Sequence, residues 1–371
     1  MKYNKFLIKS IESESGNQVF LKYQPKEFDM LTADYSKNPY FKKYGFSVPN
    51  YIKDIYSKYS GIESLKYIPT DIYYFYILPY LNNMAQTKSM FDKNNYDILF
   101  HGFNMPKTIL KKQNGYLYKG FTDKENLFSI DESVDLLCSY SEFIIKPSIE
   151  SGCGVGVLLI KEPTKEQIRQ VLNTFSGDFI VQEIVQQHPI LNRLNDSSLN
   201  TMRIVTYRRN ATDFVHLGTV LRFGRKGAFV DNASAGGRNC KVLPDGTIDT
   251  VIRSSNTFVT ECLNELIPDG NMVIPNYTDV IEFCYKLHAR VPFLNFCGWD
   301  IAIDQDSNPI FIEVNEYPDC ELIQSNCGPL FGEYTDEILE KVSDASTQWK
   351  AGVARKFKDG TSFEMVYCDL I

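Results

Sequence analysis

Over 371 residues, 43% hydrophobic and 23% charged, the chain has the composition of a globular protein with room for two or three subdomains, which excludes disorder and fibrous arrays. A formal net charge of -7 and a pI near 5.3 argue against a general nucleic-acid binder, and no window reaches the roughly 18 uncharged apolar residues that a membrane span needs. Nine cysteines without a CxxC pair, and four histidines outside any ligand or nucleophile spacing, leave a disulfide framework, a zinc site and a hydrolytic triad with little support. The segment MKYNKFLIKSIESESG has no apolar core of signal-peptide length, so the expected location is cytoplasmic.

Residues 1–104 are rich in Tyr, Lys and Asn and read as a mostly helical region. Helix-like apolar spacing in VPNYIKDIYSKYSGIESL and IYYFYILPYLNNMA is interrupted at Pro79. From about Met105 the texture changes to short apolar strands between glycine turns: NGYLYKG, EFIIKP, GVGVLLI, GDFIVQEIV, TMRIVTYRR, FVHLGTVLRFG, GWDIAI and PIFIEVN. Helices are interleaved, one capped by Thr164 and another by Thr278. The fold class expected is therefore α+β with much antiparallel sheet, no internal repeat, and a short amphipathic tail after about Ser346.

Chemistry concentrates in three places. FIIKPSIESGCGVGVLLI runs strand, loop, strand, with Gly152, Gly154 and Gly156 exposing backbone amides where side chains would obstruct a phosphate. It lacks the GK[ST] of a P-loop, and its glycines lead into a strand where a dinucleotide fingerprint leads into a helix. A flexible turn would look similar, but Lys146 at the strand end can put a point charge on phosphate oxygens. Further on, FIVQEIV ends an apolar strand in Gln182 and Glu183, which offer backbone and side-chain groups to an adenine edge and a ribose; His188 in VQQHP could contact ribose or substrate. Last, GWDIAI and PIFIEVN flank the turn sequence DQDSNP, and folding about its midpoint sets Asp300 opposite Glu313. Facing carboxylates repel unless a divalent cation sits between them, and Asn315, two residues on and on the same face, adds a neutral oxygen. An EF-hand reading of Asp304, Asp306 and Asn308 fails, because Pro309 stands where the loop needs Gly and Asn315 where it needs Glu.

The order of these parts resembles the ATP-grasp superfamily: Lys before a glycine hairpin, a hinge ending in QE, arginine strands, then D…ExN. Within it, HPILNRLNDSSLNTMRIVTYRRN and LRFGRKGAFVDNASAGGRNC resemble the sugar-transfer-associated family found with polysaccharide biosynthesis. The resemblance implies two α+β subdomains clamping ATP between antiparallel sheets, a lid subdomain over 105–183, a C-terminal subdomain over 184–345 and a tail over 346–371. It implies ATP and Mg2+, with Lys146 on the α-phosphate side, Ser151, Gly152 and Gly154 closing over the other phosphates, and Lys107 or Lys111 as a second lysine, Lys107 preferred. It further implies Gln182, Glu183 and Val185 at the adenine, and Asp300, Glu313 and Asn315 on the metal. Arg203, Arg222 and Asn232 would lie at the γ-phosphate, acyl-phosphate and acceptor. The arginines could equally form structural ion pairs. The activity implied is a carboxylate-amine ligase working on small-molecule acids and amines, some sugar-linked; a phosphotransferase and a non-catalytic scaffold are the alternatives. A homodimer is the family expectation, with no nucleic-acid partner.

Overall fold

The computed structural model describes residues 34–87, 90, 92–120, 124–149, 156–175, 177–227, 236–254, 260–268, 270, 272–344, 350–356 and 363–369. The N-terminal region is helical. Tyr51–Ser60 (α1) ends on Gly61 at φ 73, the left-handed cap that favours glycine. The helical run from Thr70 to Leu81 passes through Pro79 where an interruption was expected. The turn before Pro79 widens to a π-helix over Tyr73–Ile77, with Leu78 N–H donating to the Tyr73 carbonyl. This absorbs the donor that proline lacks without ending the run.

The first sheet contains β1 (Thr108–Gln113), β2 (Tyr116–Tyr118), β3 (Leu127–Phe128), β4 (Glu142–Pro147), β5 (Leu158–Lys161) and β6 (Phe179–Gln182), in the antiparallel order β3-β2-β1-β6-β4-β5. One face buries Leu110, Phe143, Ile145 and Val181 under Ile130–Cys138 (α2) and Lys165–Thr174 (α3). Ser129 forms a capping box with Glu132 at the start of α2, and Thr164 caps α3 as expected by accepting from Gln167 N–H. Residues facing each other across a ladder share a face, so the register Lys111↔Ile180↔Lys146 sets both lysines on the opposite face. That face is covered by Lys93–Asn95: the Asn94 side chain donates to the Lys112 carbonyl, and Lys93 N–H donates to the Ser148 carbonyl at 2.9 Å.

The second sheet contains β7 (Thr201–Arg208), β8 (Phe214–Phe223), β9 (Arg238–Val242), β10 (Val251–Ser254), β11 (Thr260–Cys262), β12 (Phe296–Ile303) and β13 (Pro309–Asn315), in the order β11-β10-β9-β8-β7-β12-β13. One face packs Met202, Ile204, Leu221, Trp299 and Phe311 against Tyr277–Ala289 (α4) and against Tyr96 and Phe100. The start of α4 differs from the expected cap at Thr278. Asn276, in the left-handed region, precedes a helix that already begins at Tyr277. On the other face, Val205, Tyr207, Val220 and Phe296 pack against the N-terminal helices, Cys320–Cys327 (α5) and Thr335–Asp344 (α6). The rest of that face is polar and forms the site described below. Lys350–Lys356 and Phe363–Asp369 pair as β14 and β15, a hairpin where a short amphipathic tail was expected. Among the described residues no helix is long and apolar enough to cross a membrane.

Candidate functional site

The expected hairpin pairing holds at the acids. Asp300 lies directly across from Glu313, and Gly298 from Asn315. The turn itself closes one step off, pairing Ile303 with Pro309, and the ladder shifts between Asp300 and Ile301. A bulge at Ile312 makes up the difference, so Phe311 and Val314 both reach the core while Glu313 and Asn315 face the polar side. The turn is held by Asp304, whose side chain accepts from the N–H groups of Asp306 and Asn308.

Asp300 is 5% exposed and gripped by two arginines. Arg203 donates through Nε at 2.5 Å and Nη2 at 3.3 Å, and Arg222 through Nη2 at 2.8 Å. Burial raises the Asp300 carboxyl, but the Arg203 and Arg222 charges and hydrogen bonds outweigh it and hold it below the usual carboxylate range. Arg203 is the direct register partner of Asp300 on β7, and Arg222 reaches across from β8, where it also donates to Thr201 at 2.7 Å. Gly298 makes room for this. A Cβ there would stand 2.9 Å from both Arg203 Cδ and Pro318 Cβ. The NDSSLN segment ahead of β7 is tied by a network of side-chain amides. Gln187 donates to the carbonyls of Asn195 and Ser198, and Asn200 to those of Leu191 and Asn195, which fixes the entry into the Arg203 strand.

Glu313 pairs with Lys93 at 3.0 Å, and the Lys93 side chain is only 7% exposed. The same Lys93 charge lies beside Lys146. Burial, then Lys93, push the Lys146 ammonium down to about 8, with Glu313 opposing. Lys93 is thus the site residue the sequence reading missed. Lys107, preferred there as the second lysine, pairs instead with Glu183 at 2.7 Å with its side chain 68% exposed. Lys111 is fully buried and reaches Asp97 and the Asn94 carbonyl, each at 3.2 Å. Lys107 and Lys111 thus hold carboxylates of this chain, Lys111 on the same sheet face as Lys146, and Lys93 of the N-terminal region lies beside Lys146 as well.

The hinge residues lie together at the end of β6. Gln182 Nε2 donates to the Pro106 carbonyl at 3.3 Å, Glu183 N–H donates to the Lys107 carbonyl at 3.0 Å, and Val185 follows, partly exposed. His188 caps a short helix through Nδ1, which accepts from Ile190 N–H, while the His188 backbone N–H donates to the Ile303 carbonyl. Gly156, at φ 78, packs where a Cβ would be 2.9 Å from Pro147 Cγ, so the hairpin closes tightly behind Lys146. Ser151, Gly152, Gly154 and Asn232 lie outside the described residues.

The donor set fits a hard divalent cation. Glu313 and Asn315 share a face with Asp300, and the Ser148 hydroxyl and one Glu316 oxygen are buried without hydrogen-bond partners. Glu316, 5% exposed, has its carboxyl pushed up to about 7 by burial and by Glu313. Among the described residues no group of three His, Cys, Asp or Glu side chains is set to hold a metal, and the oxygens that fit one best are the Asp300 and Glu313 carboxylates and the Asn315 amide.

Comparison with known proteins follows the same lines. Residues 75–335 match the family model described as sugar-transfer associated ATP-grasp. Among curated proteins the sequence has no match. Solved structures with a similar fold include the D-alanyl-alanine synthetase A of Vibrio cholerae, 17% identical over 70% of this chain and 65% of that one, with a TM-score of 0.37. They also include the D-alanine-D-alanine ligase of Coxiella burnetii, 7% identical over 72% and 62%, TM-score 0.42. A third is the ATP-grasp ligase PsnB complexed with minimal precursor, Mg and ADP, 12% identical over 70% and 62%, TM-score 0.39. The chain spans just under two thirds of the length of each. With the matched segment covering most of the sequence, the chain belongs to the sugar-transfer associated ATP-grasp family.

Proposed function

We propose that the protein is an ATP-dependent carboxylate-amine ligase that activates an acid as its acyl-phosphate and releases ADP and phosphate as an amine captures it. The observation that carries this reading is the convergence of Lys93, Lys146, Arg203 and Arg222 on the Asp300–Glu313–Asn315 ladder, a cationic ring around oxygen ligands, next to the β6 hinge. Lys146 and Lys93 would hold phosphate oxygens, and the segment around Gln182, Glu183 and Val185 the adenine. Arg203 and Arg222, fixed by Asp300 before substrate arrives, would steady the charge that develops on the transferred phosphoryl and on the mixed anhydride without reorganising. Magnesium bound by Glu313 and Asn315, with Asp300 opposite, would neutralise phosphate oxygens. The sheet over 108–182 would serve as the lid subdomain and the sheet over 201–315 as the acceptor side. The family's association with sugar transfer favours a sugar acid or a glycan precursor as one substrate, with a role in surface or capsular polysaccharide biosynthesis.

Phosphorus NMR of the protein with ATP, magnesium and pooled uronic acids, amino acids and amino alcohols tests this. ADP and inorganic phosphate that appear only when both an acid and an amine are present are the expected products. A new phosphoester would make the protein a phosphotransferase and overturn the ligase reading.

A further inference from the structure

Both metal-facing carboxylates are already neutralised by cations of this chain: Asp300 by Arg203 and Arg222, Glu313 by Lys93. With Lys146 included, four cations surround two carboxylates, a surplus of two positive charges, and even a fully ionised Glu316 leaves a surplus of one. Such a cluster repels a bare divalent cation and attracts a polyphosphate. Lys93 is the group that must yield, because its Nζ is 3.0 Å from an oxygen of the carboxylate assigned to the metal. An ammonium and a dication held by one carboxylate repel each other strongly.

Its anchoring allows the change. The Lys93 backbone is tied to the Ser148 carbonyl and sits in a short 3-10 turn packed on the first sheet, so the main chain stays in place whichever partner the ammonium takes. Ser148 follows Lys146 by two residues, so this bond keeps the Lys93 main chain beside the end of β4.

Resting on the ATP reading above, we propose that Lys93 is an exchange latch: it occupies Glu313 until a nucleotide phosphate draws it away, so metal enters with the nucleotide and not before it. Lys93 is in this sense a positioning residue for the metal, in addition to any contact with phosphate.

The test titrates Mn2+ into the full-length protein by electron paramagnetic resonance, with and without ADP, for the native chain, Lys93→Met and Lys93→Arg, with ADP affinity measured separately by calorimetry. The latch predicts that ADP tightens Mn2+ binding to the native protein by about tenfold or more, within the usual range of coupling between sites. It predicts that Lys93→Met binds Mn2+ alone about tenfold more tightly than the native chain while binding ADP more weakly. Lys93→Arg, which keeps the charge, should retain weak binding of Mn2+ alone. If the native chain binds ADP but Lys93→Met leaves the affinity for Mn2+ alone unchanged, or ADP does not tighten Mn2+, the latch is wrong and the ATP reading stands. If the native chain binds neither ADP nor Mn2+, both fail.

Discussion

Replacing Gly298 by Ala adds a single methyl at the point where the ladder, Arg203 and Pro318 meet, and its consequences can be worked out in detail. The new Cβ would lie 2.9 Å from Arg203 Cδ and 2.9 Å from Pro318 Cβ, against an optimum carbon separation of about 3.5–4.0 Å. The proline ring is rigid, so the Arg203 side chain yields, and its 2.5 Å bond to Asp300 is lost or lengthened. Overpacking of this kind costs about 1–3 kcal/mol, and weakening one charge-assisted hydrogen bond adds about 1.5–3 kcal/mol. A loss of about 3 kcal/mol in urea denaturation is the expected total, allowing for relaxation. Arg203 is assigned to the transferred phosphoryl, so affinity for a non-hydrolysable ATP analogue should fall about tenfold, the equivalent of about 1.4 kcal/mol, while ADP affinity stays within about twofold. Gly218→Ala is the control. Its Cβ would meet Cys327 Sγ at 3.0 Å and Cys327 Cβ at 3.2 Å, comparable crowding against α5 with Arg203 untouched. It should cost stability and leave both nucleotide affinities alone. If Gly298→Ala lowers ADP and analogue affinity equally, or neither, Arg203 does not act at the γ-phosphate.

Four further outcomes are expected. Asp300→Ala strands two guanidiniums that are 8% and 19% exposed and should cost about 3–5 kcal/mol in denaturant unfolding; a loss under 1 kcal/mol would mean the arginines have other support. With Lys146 held down to about 8 by burial and by Lys93, ADP affinity without added metal should fall as pH rises through about 8, and Lys146→Arg should remove that fall. Since the unfolded chain keeps this lysine protonated to higher pH than the folded one, its share of folding stability should rise, not fall, from pH 8 toward 10, which denaturation at several pH values checks. Glu313→Gln should keep ADP affinity within about threefold in metal-free buffer and lose the tightening that Mn2+ gives the native protein, as read by calorimetry.

What the sequence revealed is what alternation and turn chemistry encode locally. The β12–β13 hairpin was legible because a turn of six residues sits between two alternating strands, although the register at the acids depends on a bulge at Ile312 that no pattern announced. Lys146 was legible as the end of an apolar strand. The engagement of Asp300 by Arg203 and Arg222 was visible only as an alternative, because it requires β7 to lie on the far side of β12 from β13, a fact of sheet order. Lys93 was invisible for a similar reason. It sits in DKNNYD, a polar stretch without periodicity, and becomes buried only because Asn94 and Asp97 bind β1 and carry the segment over the open face of the first sheet. The usable signal was the cluster of Asp, Lys and two Asn just ahead of an aromatic helix, too polar for a core and too compact for a linker. Pro79 misled because proline breaks an α-helix but not a turn that has widened to π.

The most direct test of the central claim, that the Lys93, Lys146 and Glu313 cluster receives nucleotide phosphates, is calorimetric titration of ADP with magnesium into the native protein and into Lys93→Met/Lys146→Met. The account predicts saturable, magnesium-dependent binding to the native chain and a loss of about thirtyfold or more in the double variant with the fold intact by circular dichroism. Equal affinity in both proteins would contradict it.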